Sequence, residues 1–99
     1  MGRHDALGPL GRADAHRLAG RQDAALADAR DALATAQALQ GSKPYSFRTG
    51  LAFVSLAQLH GDRGDAPSTK DFAQRALAQL SNSVDSGHPA LQIARRLCA

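Results

Sequence analysis

Apolar residues recur at every third or fourth position along most of this chain, which is the spacing of an amphipathic helix. The clearest stripe runs through the segment 22–40 and predicts one long helix there. Its members are Leu26, Ala29, Leu33, Ala36 and either Leu39 or Gln40. Asp23 suits the positive end of the helix dipole, and the run Gly41-Ser42-Lys43-Pro44 ends the helix.

The beginning of the chain has a weaker helical pattern. Residues 1–11 are expected to be loosely ordered, because glycine and proline are frequent there. A helix over Leu10–Ala19 is predicted to follow, and Gly20 is placed to end it.

Three further helices are predicted in the second half of the chain. A helix over Tyr45–His60 has apolar residues on two faces, so we expect it to lie between two neighbours. Pro67 suits the first turn of a fourth helix, with Ser68 and Asp71 as a capping box. The final helix is predicted over Ala90–Leu97.

The composition supports an all-α fold. Hydrophobic residues make up 43% of the 99 residues, and Ala and Leu dominate among them, while aromatic residues supply only 4%. Ala and Leu favour helices, and the residues that favour strands are scarce. We therefore predict one all-α domain over residues 1–99, with about five helices joined by short loops as antiparallel hairpins.

An internal repeat is visible in the sequence. An alanine, a histidine and a glycine recur at the same mutual spacing, 44 residues further along. The two sets are Ala13, His16, Gly20 and Ala57, His60, Gly64. The following helices agree at the same offset, because Ala32-Leu33 matches Ala76-Leu77. Self-similarity at this period is typical of solenoid proteins.

These residues resemble the tetratricopeptide repeat. In that family the first helix has a Leu followed by a small residue and then a bulky ring, and in the second unit these are Leu56-Ala57 and His60. The family's turn glycine is matched by Gly64, and the Ala-Leu pair of its second helix by Ala76-Leu77. The first unit has Arg12 in place of the Leu. The long repeat is similar to that of kinesin light chains and many bacterial regulators, whose loops resemble Gly87-His88-Pro89.

The resemblance implies a short α-solenoid of stacked helix hairpins. Its first repeat would cover about residues 7–43, its second about 44–87, and a capping helix about 88–98. A fainter similarity links the chain to the C-terminal repeat segment of bacterial serine/threonine kinases, although none of the kinase signature is present. The chain would then be the C-terminal part of a larger bacterial regulatory protein.

The resemblance also implies a function, which is non-catalytic protein–protein interaction. In such stacks the first helix of each pair lines a groove that binds peptides. The polar residues expected on that face are Asp14, Arg17, Arg48, Ser55, Gln58 and Asp62. Among them, Arg17, Arg48 and Gln58 have the reach to contact a peptide. A merely solvated face is the alternative. The family's clamp for C-terminal carboxylates needs Lys and Asn, where this chain has Val54 and Gln58.

Candidate residues for catalysis or metal binding do not form a recognisable pattern. The four histidines (His4, His16, His60 and His88) contain no pair at helical i, i+4 spacing. Ser55, His60 and Asp62 lie close in sequence but lack the strained turn of a nucleophile site. We therefore expect no catalytic residues, no metal and no cofactor, and we assign packing roles to His16 and His60.

Charge and cysteine content limit the partners. The net charge is +3, but Arg and Asp are interleaved and the basic pair Arg95-Arg96 suits a helix end, so nucleic acid is not favoured. A helical nucleic-acid- or effector-binding accessory domain of a transcription regulator is the alternative function. With a lone Cys98 and no apolar run long enough for a membrane span, we expect a cytoplasmic chain with a protein or peptide partner.

Overall fold

The computed structural model describes the backbone of residues 3–99 and the side chains of residues 10–99. Within this part of the chain, regular structure consists of five helices and no strand, which confirms the predicted all-α class. The helices are α1 (Arg3–Leu18), α2 (Gln22–Gln40), α3 (Phe47–Asp62), α4 (Ala66–Leu80) and α5 (Pro89–Cys98). Among these helices, none combines the length and apolar character needed to cross a membrane.

The first helix is longer than the sequence predicts. α1 begins at Arg3 instead of Leu10, so the expectation of loose order is wrong for residues 3–11, while Met1 and Gly2 lie outside the described residues. Pro9 lies inside this helix. An interior proline removes one backbone hydrogen bond and crowds the carbonyl of the residue four positions earlier, so it weakens the helix in which it lies.

The start of α3 also differs from the prediction. Ser46 has an extended backbone, and its side-chain oxygen accepts a hydrogen bond from the backbone N–H of Thr49 at 3.2 Å. Serine is a preferred residue at this capping position because it satisfies an otherwise unpaired donor of the first turn. The helix therefore begins at Phe47, and Tyr45 lies in the preceding loop.

The cap of α4 is Asp65, so the predicted capping box of Ser68 and Asp71 is wrong. The Asp65 carboxylate accepts a hydrogen bond from the backbone N–H of Ser68 at 3.2 Å. Ser68 lies in the first turn itself, which places it too far along the helix to cap it. Pro67 occupies the first turn, as predicted.

Two turns that are 44 residues apart have the same backbone structure. Gly20 and Gly64 have φ values of 80° and 77°, which glycine adopts without steric cost. The same two hydrogen bonds close each helix end. After α1, the backbone N–H groups of Arg21 and Gly20 donate to the carbonyls of His16 (2.8 Å) and Arg17 (3.1 Å). After α3, those of Asp65 and Gly64 donate to the carbonyls of His60 (2.9 Å) and Gly61 (3.0 Å).

Each helix packs against the next one along the chain, and α1–α3 and α3–α5 also pack together. Arg17 and Asp62, at the C-terminal ends of α1 and α3, are in contact, so these two helices are parallel. Arg63, directly after α3, contacts Asp23 in the first turn of α2, so α2 and α3 are antiparallel. We refer to α1–α2 and α3–α4 as the first and second hairpins.

The core lies on both sides of α3. One cluster of buried residues joins α3 to the first hairpin, at Ala13, Ala25, Leu26, Ala29, Leu56 and Leu59. A second joins α3 to α4 and α5, at Phe53, Val54, Ala76, Leu80, Ala90, Leu91 and Ala94. The predicted two-faced burial of this helix is confirmed. In α2 the stripe ends on half-buried Gln40, whereas Leu39 is exposed.

Candidate functional site

The outward strip of α3 contains all four of its predicted site residues. Arg48 and Asp62 are exposed, and Ser55 and Gln58 are half-buried. Their spacings of seven, three and four residues place them on one face of the helix. Between residues 49 and 59, all positions are buried apart from Ser55, Gln58 and Leu51. Within this range, the strip is therefore the part of α3 that remains accessible once its neighbours have packed.

Three of the predicted site residues are brought together between α1 and α3. The Nε of Arg17 lies 2.7 Å from Oδ2 of Asp62, and its Nη2 lies 3.4 Å from Oδ1. Asp14, one turn earlier on α1, has its Oδ1 3.8 Å from Nη1 of Arg17. The guanidinium of Arg17 is thus engaged by two carboxylates of the same chain, and it links the two helices.

This pairing leaves an uneven distribution of available charge along the strip. Arg17 is partly enclosed and neutralised by Asp62, so it is held in place against α3. Arg48, at the other end of α3, is exposed and forms no ion pair with any carboxylate of residues 10–99. On this face Arg48 is the cation that is available to a partner.

Apolar residues that the sequence reading did not include also belong to this surface. Leu18 of α1 is 78% exposed and stands 44 residues before Asp62, so it occupies the equivalent position on its helix. Half-buried Leu51 lies between Arg48 and Ser55 on the strip. Helical periodicity could have signalled Leu51, since its spacing from Arg48 and Ser55 is three and four residues.

The two repeat-related histidines occupy different surroundings. Nδ1 of His16 accepts a hydrogen bond from Nε of Arg21 at 2.9 Å, and its Nε2 lies 3.7 Å from the Asp28 carboxylate. His60 stacks on Phe72, with ring centroids 5.3 Å apart. Both rings thus contact residues of the second helix of their hairpin. Among the described residues, His, Cys and Asp do not come together in any group of three that could hold a metal.

An open cleft of about 330 Å³ lies where the C-terminal ends of α3 and α5 meet the start of α4. It is lined by Gly61, Gly64, Ala66, Thr69, Lys70, Leu97 and Ala99. The hydroxyl of Thr69 donates to the backbone carbonyl of Asp65 at 2.9 Å. Lys70 is the charged side chain of this lining.

The chain was compared with models of protein families, with curated proteins and with solved structures, and nothing matched in any of the three comparisons. The resemblance to tetratricopeptide repeats consequently rests on the residues and spacings quoted above.

Proposed function

We propose that this chain is a non-catalytic, tetratricopeptide-like scaffold that binds a polar peptide along the outward face of α1 and α3. The observation that carries the proposal is the strip of α3, where Arg48, Ser55, Gln58 and Asp62 share the accessible side of an otherwise buried helix. A buried central helix holds such side chains rigidly, which reduces the entropy that binding has to overcome. A cytoplasmic location is part of the proposal.

Two features of the backbone support a solenoid-like stack. The glycine turns that end α1 and α3 have the same hydrogen bonds, 44 residues apart. First helices pack on first helices, α1 on α3 and α3 on α5, as in repeat proteins whose units contact their neighbours. In this arrangement α5 acts as the capping helix. Its buried side is Ala90, Leu91 and Ala94, and its exposed side is Gln92, Arg95 and Arg96.

The chemistry of the strip favours a peptide that combines hydrogen-bonding groups with apolar side chains. Ser55 and Gln58 can both donate and accept hydrogen bonds. Half-buried Leu51 beside them offers an apolar contact. Arg48 can pair with a carboxylate in a two-pronged manner. Arg17 and Asp62 act as the support of this surface, because their charges are directed at each other.

A peptide selection followed by matched variants tests the proposal. Phage-displayed peptides are selected on the immobilised chain, and the affinity of the best binder is measured by calorimetry. Ser55→Trp with Gln58→Arg blocks the strip and is expected to weaken binding at least tenfold, or by about 1.4 kcal/mol. Thr35→Trp with Gln74→Arg introduces the same two side chains at exposed positions of α2 and α4 and should leave affinity within about twofold.

Other outcomes of this experiment contradict the proposal. If the variant on α2 and α4 loses binding and the strip variant keeps it, the second helices form the binding surface. If no peptide is selected, while duplex DNA binds with a steep dependence on salt, the alternative of a nucleic-acid-binding domain gains support. Circular dichroism of both variants verifies that the helices are intact.

A further inference from the structure

The loop between α2 and α3, together with the first residue of α3, displays half of the Phe and Tyr residues of the chain. The chain has three Phe and one Tyr. Phe53 is buried, and Phe72 packs against the core clusters. Tyr45 and Phe47, by contrast, are 47% and 39% exposed. We call residues 43–48 the aromatic loop. Phe47 packs edge to face on His88, with ring centroids 5.5 Å apart, and Tyr45 and Phe47 both keep an accessible part that a partner can cover.

Hydrogen bonds from the side chains of Gln40 and Gln79 fix the backbone of this loop. Nε2 of Gln40 donates to the backbone carbonyl of Lys43 at 2.8 Å, and Oε1 of Gln79 accepts from the backbone N–H of Ser46 at 2.9 Å. The two glutamines also bond to each other at 3.2 Å. Buried Thr49 donates to Oε1 of Gln40 at 2.8 Å. The rings are therefore presented on a fixed backbone, which is a preorganised surface.

The aromatic loop also carries unneutralised positive charge. Lys43 and Arg48, which bracket the two rings, are exposed and form no ion pair with residues 10–99. Carboxylates elsewhere in this part of the chain are mostly engaged. Six of its eight Asp residues lie within 4 Å of a basic nitrogen, namely Asp14, Asp23, Asp28, Asp62, Asp65 and Asp71. A negatively charged partner complements this loop.

We propose that the aromatic loop is a docking surface for an acidic peptide segment that carries an aromatic side chain. The aromatic side chain packs against Tyr45 and Phe47, and flanking carboxylates pair with Lys43 and Arg48. This surface lies at the end of the helices and shares Arg48 with the strip of α3, but it does not include Ser55 or Gln58.

A peptide fits the loop better than the other polyanions do. Nucleic-acid binding depends on the neutralisation of several phosphates by Lys and Arg, and the loop supplies two cations. Binding to an anionic membrane through basic residues typically uses a cluster of about four to eight Lys or Arg. At this end of the molecule the α4–α5 turn adds the exposed Asp85 and several serines, because Gln79 near the end of α4 contacts Ser46. A short peptide can follow the two rings and avoid that carboxylate.

Binding to generic polymers tests the proposal. The ligands are poly-glutamate, a random copolymer of Glu and Tyr, single-stranded oligo(dT), and vesicles of phosphatidylserine and phosphatidylcholine. Each is immobilised, and the affinity of the chain is measured by interferometry at physiological salt. We expect the copolymer to bind most tightly, followed by poly-glutamate, because the aromatic contact adds to the ionic one.

Variants identify the surface that is responsible. Lys43→Glu with Arg48→Glu should weaken copolymer binding at least about tenfold. Arg30→Glu with Lys70→Glu makes the same change in net charge at exposed positions of α2 and α4. This control should weaken copolymer binding by less than about threefold. Tyr45→Ser, at an exposed loop position, should reduce copolymer affinity to that of poly-glutamate without changing the melting temperature.

Several results would overturn the proposal. These are copolymer binding no tighter than poly-glutamate, equal losses in the two charge variants, and tighter binding to oligo(dT) or to vesicles. Ser55→Trp with Gln58→Arg separates this site from the strip. That variant should bind the copolymer at least as tightly as the parent, because Gln58→Arg adds one positive charge. A loss of binding would show that the polymer occupies the strip instead of the loop.

Discussion

His60 stacks on Phe72, with ring centroids 5.3 Å apart and ring planes 21° from parallel. Phe72 also stacks on Phe53 at 6.1 Å, so an aromatic cluster joins α3 to α4. The positions 44 residues earlier are His16 and Asp28, where the imidazole faces a carboxylate at 3.7 Å. The same place in the two hairpins is therefore filled by aromatic packing in one and by a polar contact in the other.

This difference predicts unequal sensitivity to truncation. Phe72→Ala should lower the free energy of unfolding by about 3 kcal/mol, because it removes a ring that contacts both core clusters. Asp28→Ala, at the equivalent position, should cost less than about 1 kcal/mol, because partly exposed ion pairs contribute little. Urea denaturation followed by circular dichroism measures both. Equal losses would show that the two hairpins are not packed as described.

The features that could be predicted from the sequence are those set by a local pattern or by the 44-residue repeat. α2 runs from Gln22 to Gln40 as its apolar stripe and glycine-containing end predict. Ala13 and Ala57 are both fully buried, as expected for small residues between closely packed helices. Gly20 adopts the positive φ that its place after α1 suggests. The apolar stripe, the end of α2 and the turn glycine depend on neighbours within about one helical turn, whereas the burial of the two alanines follows from their repeated spacing in the sequence.

A second prediction concerns the close approach of α3 and α4 at Gly50. A Cβ at this position would lie 2.6 Å from both Cγ and Cδ2 of Leu80, a side chain that is completely buried. Gly50→Ala should therefore destabilise the chain by about 1–3 kcal/mol, although alanine is the better helix former. Thermal unfolding measures the change.

Gly61 on the same helix provides the control. A Cβ there would lie 3.5 Å from the hydroxyl of Thr69, an ordinary contact. Gly61→Ala should be neutral or stabilising by up to about 1 kcal/mol. A Gly50→Ala protein that melts as high as Gly61→Ala would rule out the tight α3–α4 contact.

The features that the sequence did not predict depend on contacts between distant segments. Asp65, Ser68 and Asp71 all have side chains that can cap a helix. The turn at Gly64 fixes the start of α4, so Asp65 is the residue at the capping position. The pairing of Arg17 with Asp62 joins residues that are 45 positions apart. Composition and periodicity cannot distinguish such a pair from two independently solvated charges.

A third prediction follows from the cap of α4. Hydrogen bonds from the side chain and then the backbone of Ser68 lower the pKa of Asp65 below its ordinary value of 3.8, and the nearby His60 adds to this effect. A carboxyl with a lowered folded-state pKa stabilises the fold above its unfolded pKa. This contribution is complete above that value and is lost as the pH falls through the lower, folded-state pKa.

Asp65→Asn tests this pH dependence, since asparagine retains a capping oxygen without the charge. We expect the difference in melting temperature between the parent and Asp65→Asn proteins to be largest near neutral pH and to shrink below about pH 4. Asp31→Asn, at an exposed position without an ion pair among residues 10–99, should show a smaller pH dependence. A constant difference across this range would contradict the role assigned to the charge.

The last prediction separates the structural role of Arg17 from a role in binding. Arg17 and Asp62 form a two-pronged, partly enclosed ion pair across α1 and α3. A double-mutant cycle with Arg17→Ala and Asp62→Ala should give a coupling energy of about 0.5–1 kcal/mol that decreases in high salt. The Arg75–Asp71 pair within α4 is more exposed and should give about 0.3–0.5 kcal/mol.

Exchanging the two charges, with Arg17→Asp and Asp62→Arg, then distinguishes the roles. Asp14 lies near Arg17, so the exchange places a second negative charge beside Asp14. It should therefore restore only part of the coupling energy. If the exchanged protein binds a selected peptide as the parent does, the pair only supports the strip of Ser55 and Gln58. If stability returns but peptide binding does not, the Arg17 guanidinium itself contacts the peptide, and the surface proposed for binding extends onto α1.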